Sequence, residues 1–314
     1  MISSLLSYPG GKGKALPYLL DKMPDGIEDW REPFLGGASV SLGFLQSGKS
    51  VNCKRFVVGE LYPEVYYFWK AVQDTPDEVI SKVYEYMEKF CPTHLSDVRY
   101  MNAVDEDEYN VLYEKECAEG REFWKWARDV DCEKLKPHER AARFYIVNRT
   151  SFSGTGDSGS MTNDSFTGFN VALIEKAREV SRLLSRVEIL NASWEYTIAN
   201  ADSEKTFIFF DAPYYHQAAT PMYGRNGSTH KGFNHEKLAQ ACKELKCKWL
   251  MTYDDSVAIR KMYSSNGIYI SPFSLQYTMA GNGGKGTDAL AGEELLISNY
   301  YCECGSDEVE GDDW

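Results

Sequence analysis

The stretch TFIFFDAPYY, residues 206–215, sets the frame for the rest of the chain. From Thr206 to Phe210 the residues form an apolar run that reads as a buried strand. The run stops at the acid Asp211, followed by the small Ala212, the rigid Pro213, and two rings, Tyr214 and Tyr215. A carboxylate at the end of a buried strand, beside a proline and aromatic faces, is a candidate reaction centre. A strand that merely ends in a Pro-Tyr turn has the same local pattern, so the remaining chain has to discriminate.

With 314 residues, 43% of them hydrophobic, the chain can build one large α/β domain plus an insertion, or two domains. It contains no run of 18 uncharged apolar residues, so no transmembrane helix is expected. The start, MISSLLSYPGGKGK, lacks a basic segment followed by a long apolar core and does not read as a signal peptide. Eight cysteines are scattered, and no Cys-x-x-Cys or His-x-x-x-His spacing points to a metal. Reduced, mostly buried thiols are expected.

The net charge of −13 is unfavourable for binding nucleic acid, but it is unevenly distributed. Residues 303–314 carry six acids and no base, and residues 75–140 carry 17 acids against 10 bases. The rest of the chain is balanced, with 24 acids and 24 bases. Phosphate contacts must therefore come from local clusters. The acidic 75–140 segment suggests solvent or a protein partner, and the tail reads as disordered.

Three early segments suggest a nucleotide site. In SYPGGKGK, Gly10 and Gly11 permit tight backbone geometry next to Lys12, ahead of a helix expected over Ala15 to Lys22. In WREPFLGGASVSLGFL, a strand leads through Pro33 and Phe34 into Gly36, Gly37 and a helix from Ala38 to Leu45. This strand–glycine turn–helix order is the first unit of a Rossmann-like site, although the glycine spacing disfavours a dinucleotide. Arg55 to Gly59 reads as the next strand, ending at Glu60, where doubly wound folds bind ribose hydroxyls. Each of these features also fits an ordinary loop or helix start.

The order SYPGGK, REPFLGGASV, VVGELYPEVYYFW, an insertion, and FFDAPYY resembles the Dam-type family of N6-adenine DNA methyltransferases. The resemblance continues through FNHEKLAQACKEL, WLMTYDDSVAIRKMY and YTMAGNGGKGTDALAGEELLISNY, about 240 residues in all. It implies a Rossmann-like α/β methyltransferase fold, residues 1–74 and 170–302, that binds S-adenosyl-L-methionine. It also implies an inserted, mainly helical target-recognition domain over residues 75–169. Tyr8, Gly10, Gly11, Lys12, Phe34, Gly36, Gly37, Ala38, Glu60 and Asp211 would then face the cofactor. Tyr8 and Lys12 match the family's aromatic and lysine positions, and Glu60 matches its ribose-binding Asp. Asp211, Ala212, Pro213 and Tyr214 match the catalytic Asp-Pro-Pro-Tyr loop, with Ala212 in place of the first proline.

An exocyclic amine is a poor nucleophile because its lone pair is delocalised into the ring. Asp211 and a nearby backbone carbonyl would each accept one N–H, aiming the lone pair at the methyl donor, while Tyr214 stacks on the extruded base. DNA, taken as double-stranded, would be contacted by Asn148, Arg149 and Ser151 in a hairpin position, and by Arg225 and Lys231 in the polar loop before Gly232. His230 in that loop is not expected to act as a base. A monomer or weak dimer is expected, without a membrane association, nucleoid-associated in the cytoplasm and encoded by a bacterium, an archaeon or a phage. Cytosine-N4 methylation, another adenine modification, and a weakened DNA- or cofactor-binding module are the alternatives. Ala212, Glu60 and Ala38 all depart from the family pattern and bear on that choice.

Overall fold

The computed structural model describes residues 2–95, 105–201, 203–215, 232–276 and 291–302. The expected contacts Arg225 and Lys231, His230, and the acidic tail lie outside the described residues. The strands are β1 Asp29–Glu32, β2 Arg55–Gly59, β3 Glu188–Leu190, β4 Thr206–Asp211, β5 Lys248–Asp254, β6 Tyr269–Gln276 and β7 Ala291–Ser298. They form one seven-stranded sheet in the order β3-β2-β1-β4-β5-β7-β6. Neighbours from β3 to β5 are parallel, whereas β7 runs antiparallel to both β5 and β6. This is the expected Rossmann-like methyltransferase arrangement. The strand order reverses between β1 and β4, so a crevice opens at their carboxyl ends, where open α/β sheets bind ligands.

The helices are α1 Leu16–Lys22, α2 Ser39–Gln46, α3 Pro63–Asp74, α4 Pro76–Phe90, α5 Pro92–Leu95, α6 Glu106–Asp129, α7 Pro137–Thr150, α8 Asn163–Thr167, α9 Ala177–Leu184, α10 Trp194–Thr197, α11 His235–Glu244 and α12 Val257–Tyr263. Local chemistry sets their starts. Proline occupies the first turn of α3, α4 and α7, where no backbone donor is needed. Asp105 accepts from Glu108 N at the start of α6, and Asn234 accepts from Lys237 N at the start of α11. Ahead of α9 the chain forms a 3₁₀ segment, Val171–Lys176, that runs directly into it. The Asn170 side chain accepts from Ala172 N and starts that tighter turn.

Trp30 ties the parallel strands to α2. It is fully buried and stacks on Phe44 at 4.1 Å, with Phe56 and Phe207 at 5.5 and 5.7 Å. Its indole N–H donates to Ser41 Oγ. Truncating such a ring would cost about 3–5 kcal/mol. On α3, Phe68 stacks nearly parallel on Tyr145 of α7, which joins α7 to the same apolar core. Residues 151–161 form turns closed by a single bridge, Ser151 to Met161, where a hairpin position was expected. Left-handed backbone at Ser153, Gly154 and Gly156 prevents a continuous ladder there.

Candidate functional site

The glycine turn after β1 forms the floor of the site. Gly36 has φ +47°, and a Cβ on it would lie 2.7 Å from the Tyr8 ring; a Cβ on Gly37 would lie 2.8 Å from Tyr8 Cβ. Tyr8 therefore packs directly on backbone that only glycine leaves bare. The turn is held from two sides. Trp69 Nε1 donates to Gly36 O at 2.8 Å, and Glu60 Oε2 accepts from Gly36 N at 2.9 Å. The second Glu60 oxygen accepts from Tyr62 N at 2.8 Å, so one side chain at the end of β2 fixes both strand-end loops. Burial pushes the Glu60 carboxyl up to about 7, against the pull of these backbone N–H groups.

Opposite this floor, β4 delivers Asp211. Its Oδ1 accepts from Thr252 Oγ1 on β5 at 2.9 Å and lies 3.0 Å from Lys12 Nζ. Lys12 is only 1% exposed and also donates to Gly10 O at 2.7 Å and to Tyr214 Oη at 2.9 Å. These contacts engage its three donors and join the first loop to the loop after β4. Glu294 on β7 stands 3.9 Å from Lys12 and bonds to the Tyr214 hydroxyl. Burial raises the Glu294 carboxyl to about 7, although Lys12 opposes the shift. Burial and the nearby carboxylates keep Tyr214 firmly in its phenol form. Its ring stacks against Tyr253, whose hydroxyl bonds with His235 Nδ1.

All the expected cofactor and catalytic positions line one cavity of about 560 Å³ between these elements. Phe34 and Phe233 meet edge to face at 5.7 Å across it. Ala212 is buried and Ala38 adopts left-handed backbone, with φ 58°. Of the expected DNA-contact residues, the three described ones do not line this cavity. Asn148 is 1% exposed: its Oδ1 accepts from Ser7 N, and its Nδ2 donates to Ser7 O and Gly154 O. Ser151 is also buried, accepting from Gly156 N and donating to Asn148 O. Asn148 thereby braces the loop that carries Tyr8, and Ser151 braces the turn that follows α7. Arg149 is half-buried and donates to Ser7 Oγ at 2.9 Å.

Three site residues escaped the sequence reading. Glu32 ends β1, is 2% exposed, lines the cavity and bonds to Ser41 Oγ. Burial, with Asp211 adding to it, raises its carboxyl to about 8. Its signal was an acid at the end of a short strand, directly before Pro33. Glu294 and Thr252 gave no signal, because only the sheet order brings β7 and β5 beside the β4 loop.

The D12 class N6 adenine-specific DNA methyltransferase family matches residues 8–277. Over 306 residues the chain is 21% identical to the type II methyltransferase M1.LlaDCHI of Lactococcus lactis subsp. cremoris, covering 93% of this chain and 94% of that protein. It is 24% identical over 305 residues to the type II methyltransferase M.CviBI of Paramecium bursaria Chlorella virus NC1A, covering 94% and 99%. A family match across most of the chain, with a glycine turn, a strand-end acid and an Asp-Ala-Pro-Tyr loop around one cavity, assigns this chain to the D12 class of N6 adenine-specific DNA methyltransferases.

Proposed function

We propose that this protein methylates N6 of adenine in double-stranded DNA from S-adenosyl-L-methionine, with Asp211 and Tyr214 holding an extruded base. The observation that carries the residue assignment is the position of Asp211 and Tyr214. Both sit at the carboxyl end of β4, facing the glycine turn across a cavity at the topological switch point.

The cavity suits the cofactor. Its volume falls within the range for small-molecule sites, and it combines bare glycine backbone, an aromatic pair and a strand-end acid. Glu60 would hold the ribose hydroxyls, the glycine turn and Phe34 the nucleoside, and the Gly10–Lys12 loop the amino-acid end. When bound, the cofactor supplies an electrophilic methyl group on a sulfonium.

Asp211 Oδ1 is engaged by Thr252 and Lys12, which fixes the carboxylate plane and leaves Oδ2 to accept one amine N–H. The carbonyl of Ala212 or Pro213 accepts the other. This pairing draws the nitrogen lone pair out of conjugation, so the rate gain comes from positioning rather than from a strong base. Tyr214, fixed by Lys12, Glu294 and Tyr253, stacks on the base, worth about 1–3 kcal/mol. The surplus proton leaves to water after transfer. The inserted segment, residues 75–169, would recognise DNA, and the type II designation of the relatives favours a restriction-modification setting.

The test is incubation with S-adenosyl-L-methionine and unmethylated duplex DNA, then digestion and nucleoside mass spectrometry beside Asp211→Ala. One methyl on deoxyadenosine, absent in the variant, is the expected result. A methyl on deoxycytidine, a different added mass, or full activity in Asp211→Ala would overturn the assignment.

A further inference from the structure

The inserted segment is acidic as a whole, but its charge is segregated along α6. Residues 106–120 hold six acids and one base, whereas residues 121–129 hold three bases and two acids. The three bases, Arg121, Lys125 and Arg128, recur at i, i+4 and i+7, which places them on one helical face. All three are exposed, and they line a cleft of about 400 Å³ that is closed on its other side by Ser160, Met161 and Asn163. Asp129 is the one carboxylate among the lining residues.

Two of the cations are pre-positioned. Arg128 lies over the Trp124 ring at 5.3 Å and donates to Gly159 O, while Trp124 is itself bonded to Thr150 Oγ1. Arg121 donates to Asn163 Oδ1 at 3.3 Å. Lys125 makes no ion pair among the described residues, whereas Arg121 stands 4.0 Å from the exposed Glu114 Oε2.

The cleft is connected to the cofactor cavity through one loop. Ser160 and Met161 pair back to Phe152 and Ser151, and Phe152 itself is 59% exposed. On its inner side the same loop abuts Ser7, the neighbour of Tyr8: a Cβ on Gly154 would meet Ser7 O at 2.3 Å. Its far turn is anchored by Asp157, which accepts from the buried Arg143 and from Tyr62 Oη beside the glycine floor. The loop is thus fixed between the reaction cavity and the basic face.

We propose that Arg121, Lys125 and Arg128 form the track for the DNA phosphate backbone flanking the methylated base. The inference rests on the proposed DNA substrate. It assigns backbone binding to the carboxyl end of α6, leaving the acidic remainder of the segment off the DNA. Along the helix the three side chains span about 10 Å, close to the rise of three nucleotides on one strand. Phosphate is the occupant that the charge and spacing select, and such contacts position the duplex without reading its sequence.

The test is equilibrium binding of the full chain to unmethylated duplex DNA of mixed sequence, between about 50 and 200 mM salt. Variants are Arg121→Gln/Lys125→Gln, Lys125→Gln alone, and Lys134→Gln, an exposed lysine away from the cleft, as control. The double variant is expected to lower the slope of log K against log salt by about two, and Lys125→Gln alone by about one. Thermal melting and S-adenosyl-L-methionine affinity should be unchanged in both. An unaltered slope in a double variant that keeps wild-type melting, or an equal loss in Lys134→Gln, would overturn the track. If the wild-type protein neither binds nor modifies DNA, the substrate assignment itself fails, and the track with it.

Discussion

Lys12 Nζ lies 3.0 Å from Asp211 Oδ1 and 2.9 Å from Tyr214 Oη, so the first loop of the chain and the loop after β4 share one buried cation. The contact orients the carboxylate before any ligand arrives, and it makes the two loops interdependent.

That dependence predicts the behaviour of Asp211→Ala. Transfer should be abolished, and removal of the carboxylate should leave the Lys12 charge poorly compensated, costing about 1–3 kcal/mol by urea unfolding. Adding Lys12→Met should recover most of that stability and none of the activity. Recovery of activity in the double variant would mean that Asp211 serves only to neutralise Lys12.

Ala38 has left-handed backbone at a position that favours glycine. Ala38→Gly relieves roughly 1 kcal/mol of strain but removes a buried methyl worth about 0.8 kcal/mol. The unfolding free energy from urea titration should therefore change by less than about 0.5 kcal/mol, whereas Ala38→Val should cost about 1–3 kcal/mol. The near-cancellation explains how a glycine turn tolerates alanine here.

Burial raises the Glu60 and Glu294 carboxyls to about 7 and Glu32 to about 8, from an ordinary 4.5. The folded state holds these protons more tightly than the unfolded chain. The associated stability is therefore full below pH 4.5 and is lost as pH rises through about 7 to 8. The melting temperature of the ligand-free protein should fall between about pH 5 and about pH 8.5, and Glu32→Gln should flatten the upper part of that fall. A wild-type profile that rises across this interval would contradict the assignment.

Asn148 makes three hydrogen bonds from a buried position, so Asn148→Ala should act through the Tyr8 loop. The expected cost is about 2–3 kcal/mol of stability, with weakened cofactor binding and an unchanged salt slope for DNA. A reduced slope at wild-type stability would return Asn148 to the DNA surface.

Much of this protein was written in its local chemistry. The apolar run before Asp211, the prolines opening α3, α4 and α7, and the glycines at 36 and 37 determine which segments become strands, helices and bare turns. Those signals act over a few residues, so the strand ends that build the site, and Asp211 and Glu60 with them, could be read directly from the chain.

The tertiary structure decided which distant groups meet. Glu294 and Thr252 reach the Lys12–Asp211 pair only because β5 follows β4 in the sheet and β7 inserts between β5 and β6. Asn148 looked like a surface contact in a polar stretch, yet α7 turns it inward onto Ser7. The net charge of residues 75–140 hid a basic face on α6, because composition sums over a helix whose sides see different surroundings. Sequence fixes local conformation through short-range sterics and hydrogen bonding; burial and charge pairing depend on neighbours that only the folded chain supplies.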